Sequence, residues 1–245
     1  MPLSESALVK KLDAYVELTS EDKSLLADLQ SPPVTIGRGK ELMREGDAGN
    51  RVIILRTGWA SSYKDLRDGG RQIINFPVAG DCVGLRSVLL RTADHSFATL
   101  TDAQVSIVEG PRMLKLLDER PRIRAAFLWS AARDEAMAVE HLVSVGRRTA
   151  LERTAHFFME LADRLLLVGL AEGTEFHCPL NQYVLADSLG LSAIHVNRIL
   201  RQLREMNLLS VKSGKVMIMD VNGLRSISGY RKLIVARDER QTNAD

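Results

Sequence analysis

The side chains best suited to recognition chemistry crowd one segment, Asn181 to Met206, NQYVLADSLGLSAIHVNRILRQLREM, which carries His195, Asn197, Arg198, Arg201, Gln202 and Arg204. Guanidinium forks match phosphate oxygens and the guanine edge, and carboxamides match adenine. The chemistry this set could perform is therefore non-covalent readout of duplex DNA. Lys212 and Lys215 follow closely on either side of Ser213-Gly214, where phosphates would be expected.

Such a set needs a scaffold, and the spacing supplies one. Val184, Leu185 and Leu189 recur at helical intervals, Ala186 is small enough for a second helix to approach, and Gly190 suits the left-handed conformation of a helix stop. Ser192 is a good N-cap for a second helix. Val196, Ile199, Leu200 and Leu203 give that helix an apolar stripe, leaving Ala193, Ile194, His195, Asn197, Arg198, Arg201, Gln202 and Arg204 for its other faces. A helix of this shape fits a major groove. Two short helices joined at a glycine also occur in ordinary globular proteins, and an arginine-rich face is often merely solvated. The next segment, NLLSVKSGKVMIM from Asn207 to Met219, weighs toward DNA: it reads as a hairpin around Ser213-Gly214-Lys215, giving a winged helix-turn-helix.

Length and composition leave room for this module and a second one. The chain has 245 residues, is 45% apolar, and carries a net charge of +2. It is long enough for two cores and too nearly neutral to be basic all over, so its positive charge is local to the proposed recognition helix and wing. No run of apolar residues is long enough for a membrane span, and the N-terminus lacks the apolar core of a signal peptide, so a cytoplasmic protein is expected. The 2 cysteines, Cys82 and Cys178, form no CxxC pair for a structural zinc or a four-cysteine cluster.

Taken in order, the chain opens with a helical preface in which Thr19-Ser20-Glu21-Asp22 is a capping signal ahead of Leu25, Leu26 and Leu29. From Val34, short β-rich runs (51–56, 59–64, 71–76, 97–100 and 104–108) alternate with turn residues, the pattern of a small antiparallel barrel or roll. Pro111 opens a short helix over 112–118. Pro121 opens a long one to about Val145, which at 1.5 Å per residue spans roughly 35 to 40 Å. Its apolar and small residues occupy more than one face, so one face is expected against its own chain and another against a second subunit. Gly146 interrupts that helix and Thr149-Ala150-Leu151-Glu152 is a capping box, which places a hinge at 145–149. An amphipathic helix from Ala150 to about Val168, a loop over 169–176, and a last helix from Leu224 to Ile234, capped by Asp220, complete the reading. The fold class is α+β, with a sensory roll over 1–120, a long helix and hinge over 121–148, and a winged helix-turn-helix over 149–245.

In order of parts and in the runs GKELMREGD, RVIILRTG, GDCVG and SAIHVNRILRQLREMNLLSV, the chain resembles the Crp/Fnr family of bacterial transcription regulators over residues 10 to 235. The resemblance implies a cyclic-nucleotide-binding-like roll, a homodimer, palindromic operators and an effector-driven hinge at Gly146 and Thr149. It puts Ile123, Phe127, Ser130, Met137 and His141 at the dimer helix. It implies base contacts from Arg198 and from Ile194, which stands where the family commonly has a Glu, while His195 and Asn197 are candidates either for other bases or for solvent and phosphate. Arg198 is expected on guanine O6 and N7, and Ile194 suits a thymine methyl. Phosphate contacts are expected from Ser192, Arg201, Lys212 and Lys215. RNA polymerase is left open as a further partner.

The implied effector pocket comprises Gly84, Leu85, Arg86, His95, Ser96 and Ala138, and it departs from the nucleotide-binding pattern. Leu85 replaces the Glu that holds ribose hydroxyls, His95-Ser96 replaces the Arg-Ser pair that holds phosphate, and Ala138-Val139 offers nothing to an adenine. Cyclic AMP is therefore not expected. Arg86 and Arg91 keep positive charge nearby, so another anionic effector stays open. The oxygen-sensing branch uses an N-terminal cysteine cluster, and here no cysteine precedes Cys82, which reads as a small core side chain with a redox thiol as the alternative. No cofactor is required, although His95, His141, His156 or His177 leaves a haem ligand open. Two rival functions remain: a sensory module acting on other proteins through the roll, and an enzyme, for which Asp13, Asp81 and the histidines form no constellation.

Overall fold

The computed structural model describes residues 6–30 and 32–232. These form two compact units, one gathering the chain up to Asp65 with Ile74–Arg133, the other Leu66–Ile73 with the residues from Asp134 onward.

The first unit begins with α1 (Ala7–Tyr15) and α2 (Ser20–Leu29). The capping signal closes as expected: the Thr19 hydroxyl accepts from the Asp22 amide at 3.1 Å and the Asp22 carboxylate from the Thr19 amide at 3.0 Å. The roll follows as β1 (Val34–Ile36), β2 (Glu41–Met43), β3 (Arg51–Thr57), β4 (Ala60–Asp65), β5 (Arg71–Asn75), β6 (Cys82–Val83), α3 (Leu85–Leu90), β7 (Ser96–Thr99) and β8 (Ala103–Glu109). It comprises two four-stranded sheets, ordered β1-β8-β3-β6 and β2-β7-β4-β5. Side chains between them, including Met43, Ile53, Leu55, Val83, Phe97 and Val105, form the core. β3 is buried from Val52 to Leu55 without alternation, since α1 and α3 contact it beyond its sheet partners. β1, β2 and β6 do not stand out in the sequence because 2 or 3 residues are too few to show a period. The glycine ending GDCVG is required by geometry. Gly84 has φ +88°, and a Cβ there would lie 2.7 Å from the Arg51 carbonyl oxygen.

α4 (Gly110–Glu119) carries Pro111 in its first turn and leads to α5 (Pro121–Arg147), 27 residues long. The burial of α5 separates its faces. Ile123, Phe127, Ser130 and Met137 are already buried within their own chain, and His141 turns its ring to a buried glutamate described below. The apolar residues left uncovered lie elsewhere on the helix: Leu128, Trp129, Val139, Leu142, Val143 and Val145. The break between helices falls within 145–149. Gly146 lies inside the last turn of α5, and the break comes at Arg148 and Thr149.

The second unit continues with α6 (Ala150–Leu167), whose capping box is closed by Thr149 and Glu152. The segment over 169–176, read above as a loop, instead forms a hairpin of β9 (Ala171–Glu172) and β10 (Glu175–His177). Then come α7 (Gln182–Leu189), α8 (Ala193–Glu205), β11 (Leu209–Lys212), β12 (Lys215–Ile218) and α9 (Val221–Ser228). The wing is therefore part of a four-stranded sheet, β11-β12-β10-β9, with Phe176 opposite Val216. Gly229, at φ 62°, stops α9 short of its expected end, and Ile234 and the polar tail lie outside the described residues.

Candidate nucleic-acid interface

Helices α7 and α8 are built by the residues anticipated. The Asn181 carboxamide oxygen caps α7, accepting from the amides of Tyr183 and Val184 at 2.9 and 3.0 Å. Gly190 ends it at φ 62°, and the Ser192 hydroxyl caps α8 by accepting from the His195 amide at 3.2 Å. Leu185, Ala186 and Leu189 of α7 are buried, as are Val196, Ile199 and Leu203 of α8. Burying that stripe fixes which side chains α8 turns outward: Ser192, Ile194, Asn197, Arg198 and Arg201 are exposed and His195 is half-buried. Ile194, at 84% exposure, is the most exposed large apolar side chain described. An isoleucine so placed has no folding role to explain it.

The wing turns through Ser213 and Gly214, both left-handed at φ 51° and 74°, as a two-residue hairpin turn demands. Lys212 is exposed at its base. Lys215 is ion-paired with Glu175 of β10, a partner that sequence reasoning could not foresee without the β9–β10 hairpin. The pair is solvent-exposed and weak, so it leaves Lys215 able to exchange Glu175 for a phosphate.

Arg153 was also not anticipated. From α6 its guanidinium donates to the Leu189 carbonyl at 2.7 Å and the Arg148 carbonyl at 3.1 Å, tying the end of α7 to the break before α6. No sequence signal marks it, because both acceptors are backbone.

Around that break lies a partly buried charge cluster. Arg148 donates to the Glu140 carboxylate at 2.6 Å and the Ser144 hydroxyl at 2.7 Å. His141 Nε2 is 2.8 Å from Glu160, whose side chain is 7% exposed, and His156 Nε2 is 3.3 Å from Glu140. Burial alone would raise the Glu160 pKa; the His141 hydrogen bond and charge, with Arg164 and His156, outweigh it and hold the carboxyl below its usual range. Burial pushes the His156 imidazole down, helped by Arg148 and opposed by Glu160 and Glu140.

In the roll, the residues of the expected pocket are engaged with one another. Arg86 is ion-paired with Asp94 at 2.7 Å, and His95 Nδ1 lies 2.9 Å from the other Asp94 oxygen and 3.0 Å from Arg86 Nη2. Partial burial would raise Asp94, but His95 and Arg86 outweigh it and keep the group an anion. Burial lowers His95 against the pull of Asp94. The Ser96 hydroxyl accepts from the Glu45 amide at 2.9 Å, Leu85 opens α3, and Ala138 is exposed on α5 in the other unit. Cys82 is half-buried in β6, and Cys178 is buried with its thiol pushed up to about 11. Among the described residues no group of histidine, cysteine and carboxylate side chains is arranged to hold a metal, and no helix is long and apolar enough to cross a membrane.

A double-sheet roll followed by a winged helix-turn-helix defines a DNA-binding regulator with an N-terminal sensory domain. Family models agree on both halves: the cyclic nucleotide-binding domain matches residues 33–120 and the Crp-like helix-turn-helix domain residues 152–227. The chain belongs to the Crp/Fnr family of transcription regulators. It is 30% identical over 192 residues to the nitrogen fixation regulation protein FixK of Rhizobium meliloti, covering 77% of this chain and 83% of that one. To the transcriptional activator protein Anr of Pseudomonas aeruginosa it is 24% identical over 214 residues, 87% of each. Among solved structures, FixK2 from Bradyrhizobium japonicum superposes with a TM-score of 0.73 at 26% identity, covering 82% of this chain and 98% of that one. A CooA mutant from Carboxydothermus hydrogenoformans, at 16% identity and a TM-score of 0.69, shares the fold.

Proposed function

We propose that this regulator binds a palindromic operator as a homodimer whose α5 helices pair across a two-fold axis, setting two α8 helices about 34 Å apart in successive major grooves. The outward face of α8 carries this reading, since it presents a guanidinium, a carboxamide and an isoleucine with no packing role. Arg198 reads guanine through O6 and N7, Ile194 meets a thymine methyl, and Asn197 and His195 lie beside them. Ser192, Arg201 and Lys212 hold phosphates. Selection of bound sequences from random DNA gives the operator. Arg198→Ala is then expected to lose one guanine from the selected half-site and about 10- to 100-fold in affinity for it. An Arg198→Ala protein that selected the same half-site with undiminished affinity would end this assignment.

The roll of this reading senses something other than cyclic AMP. The only carboxylate beside Arg86 and His95 in the described ion pairs is the chain's own Asp94, which occupies the groups an incoming phosphate would need. Titration calorimetry with cyclic AMP is expected to give no binding heat up to millimolar nucleotide. Saturable binding in the micromolar range would show that Asp94 yields its place.

A further inference from the structure

On the exposed face of α8, Arg198 Nη2 lies 3.0 Å from His195 Nε2, one helical turn earlier. A guanidinium carries donors only, so the bond has one polarity: Nε2 accepts, and the imidazole proton sits on Nδ1. Among the described residues no carboxylate lies within ion-pair distance of Arg198, and the neighbouring first-turn position that faces outward is the apolar Ile194. The imidazole is thus the group that orders a long, exposed and otherwise free side chain.

We infer that His195 is a positioning residue for Arg198, fixing the guanidinium for guanine by accepting a hydrogen bond from it, and is not itself the reader of a base through Nε2. This rests on the assignment of Arg198 as the guanine reader. Two physical consequences separate this pair from an arginine held by a carboxylate. The neutral acceptor leaves the full positive charge to the DNA, where a carboxylate would offset it and repel phosphates. Ordering before binding also removes part of the rotamer entropy that a flexible arginine loses on docking, and a fork held in one plane discriminates better between guanine and adenine than a mobile one. The proton left on Nδ1 makes the outer edge of the ring a donor, suited to a phosphate oxygen.

The test measures, for the selected operator, the ratio of affinities between the half-site with its Arg198-dependent guanine and the same site with adenine there. Four proteins are compared with wild type by fluorescence anisotropy: Arg198→Ala, His195→Phe, His195→Lys and His195→Gln. Phe keeps a ring without an acceptor, Lys keeps a phosphate-binding donor without an acceptor, and Gln restores an acceptor at the same helical spacing. The expected result is a guanine preference reduced about tenfold in His195→Phe and His195→Lys, retained in His195→Gln and abolished in Arg198→Ala. Loss of preference in Arg198→Ala with full preference in His195→Phe would overturn the positioning role, and so would a fall in overall affinity at an unchanged ratio. An unchanged ratio in Arg198→Ala would instead remove the guanine assignment beneath it.

Discussion

Replacing Val139 and Leu142 of α5 by arginine is expected to turn the regulator into a folded monomer at micromolar concentration and to cut operator affinity by on the order of 100-fold or more, the loss of linked binding by a second recognition helix. The positions follow from burial. Ala125, Leu128, Ala132, Glu135, Val139, Leu142 and Gly146 recur at alternating steps of three and four along α5, which is the spacing of a seam between paired helices. Leu128, Val139 and Leu142 are 64%, 55% and 75% exposed in the single chain, so nothing of their own subunit covers them. The opposite stripe, Ile123, Phe127, Ser130 and Met137, is buried at home. An arginine at Phe127 should therefore cost folding stability, whereas one at Leu142 should cost association alone. Sedimentation of the double variant decides the matter: a dimer of wild-type affinity would exclude this face as the seam.

Removing the carboxylate of Glu160 is expected to destabilise the second unit by about 1–3 kcal/mol, because it takes away the buried acceptor that His141 Nε2 reaches at 2.8 Å. Glu160→Ala should lower the thermal unfolding temperature of the full chain far more than Glu152→Ala, which removes an exposed cap. The wild type should also lose stability in acid, and the sign follows from the two shifts. His156 titrates below its ordinary value of 6.5 when folded, so as pH falls under 6.5 the unfolded chain takes up a proton that the folded chain refuses, and stability drops. Glu160 also titrates below its ordinary value of 4.5, so the stability it contributes above that value disappears as pH falls through its folded pKa. Calorimetric scans should show a plateau from pH 7 to 8 and a decline below about pH 6.5, at up to roughly 1.4 kcal/mol per pH unit for one proton. A transition temperature unchanged down to pH 5 would mean that His156 already binds its proton in the folded state.

The sequence by itself determined the local elements and the identity of the recognition face. Thr19, Thr149, Ser192 and Asp220 each cap the helix they were expected to cap, because a capping bond closes within a few residues and depends on nothing distant. The outward set on α8 was legible for the same reason, since burying Val196, Ile199 and Leu203 leaves one helical solution for the rest. What depended on contacts across the chain was not legible. Apolar residues cover α5 on more than one side, so periodicity could not say that its own subunit takes Ile123 and Phe127 and leaves Leu128 and Leu142 uncovered. Gly146 looked like a helix breaker, yet a solvent-exposed glycine with nothing within 4 Å of where a Cβ would stand continues a helix at a cost of only about 1 kcal/mol. Ion pairs were the rest: Lys215 with Glu175 and Arg86 with Asp94 give partners to two cations that the sequence offered to ligands, and each pairing exists only once the strands or turn carrying the carboxylate have been placed.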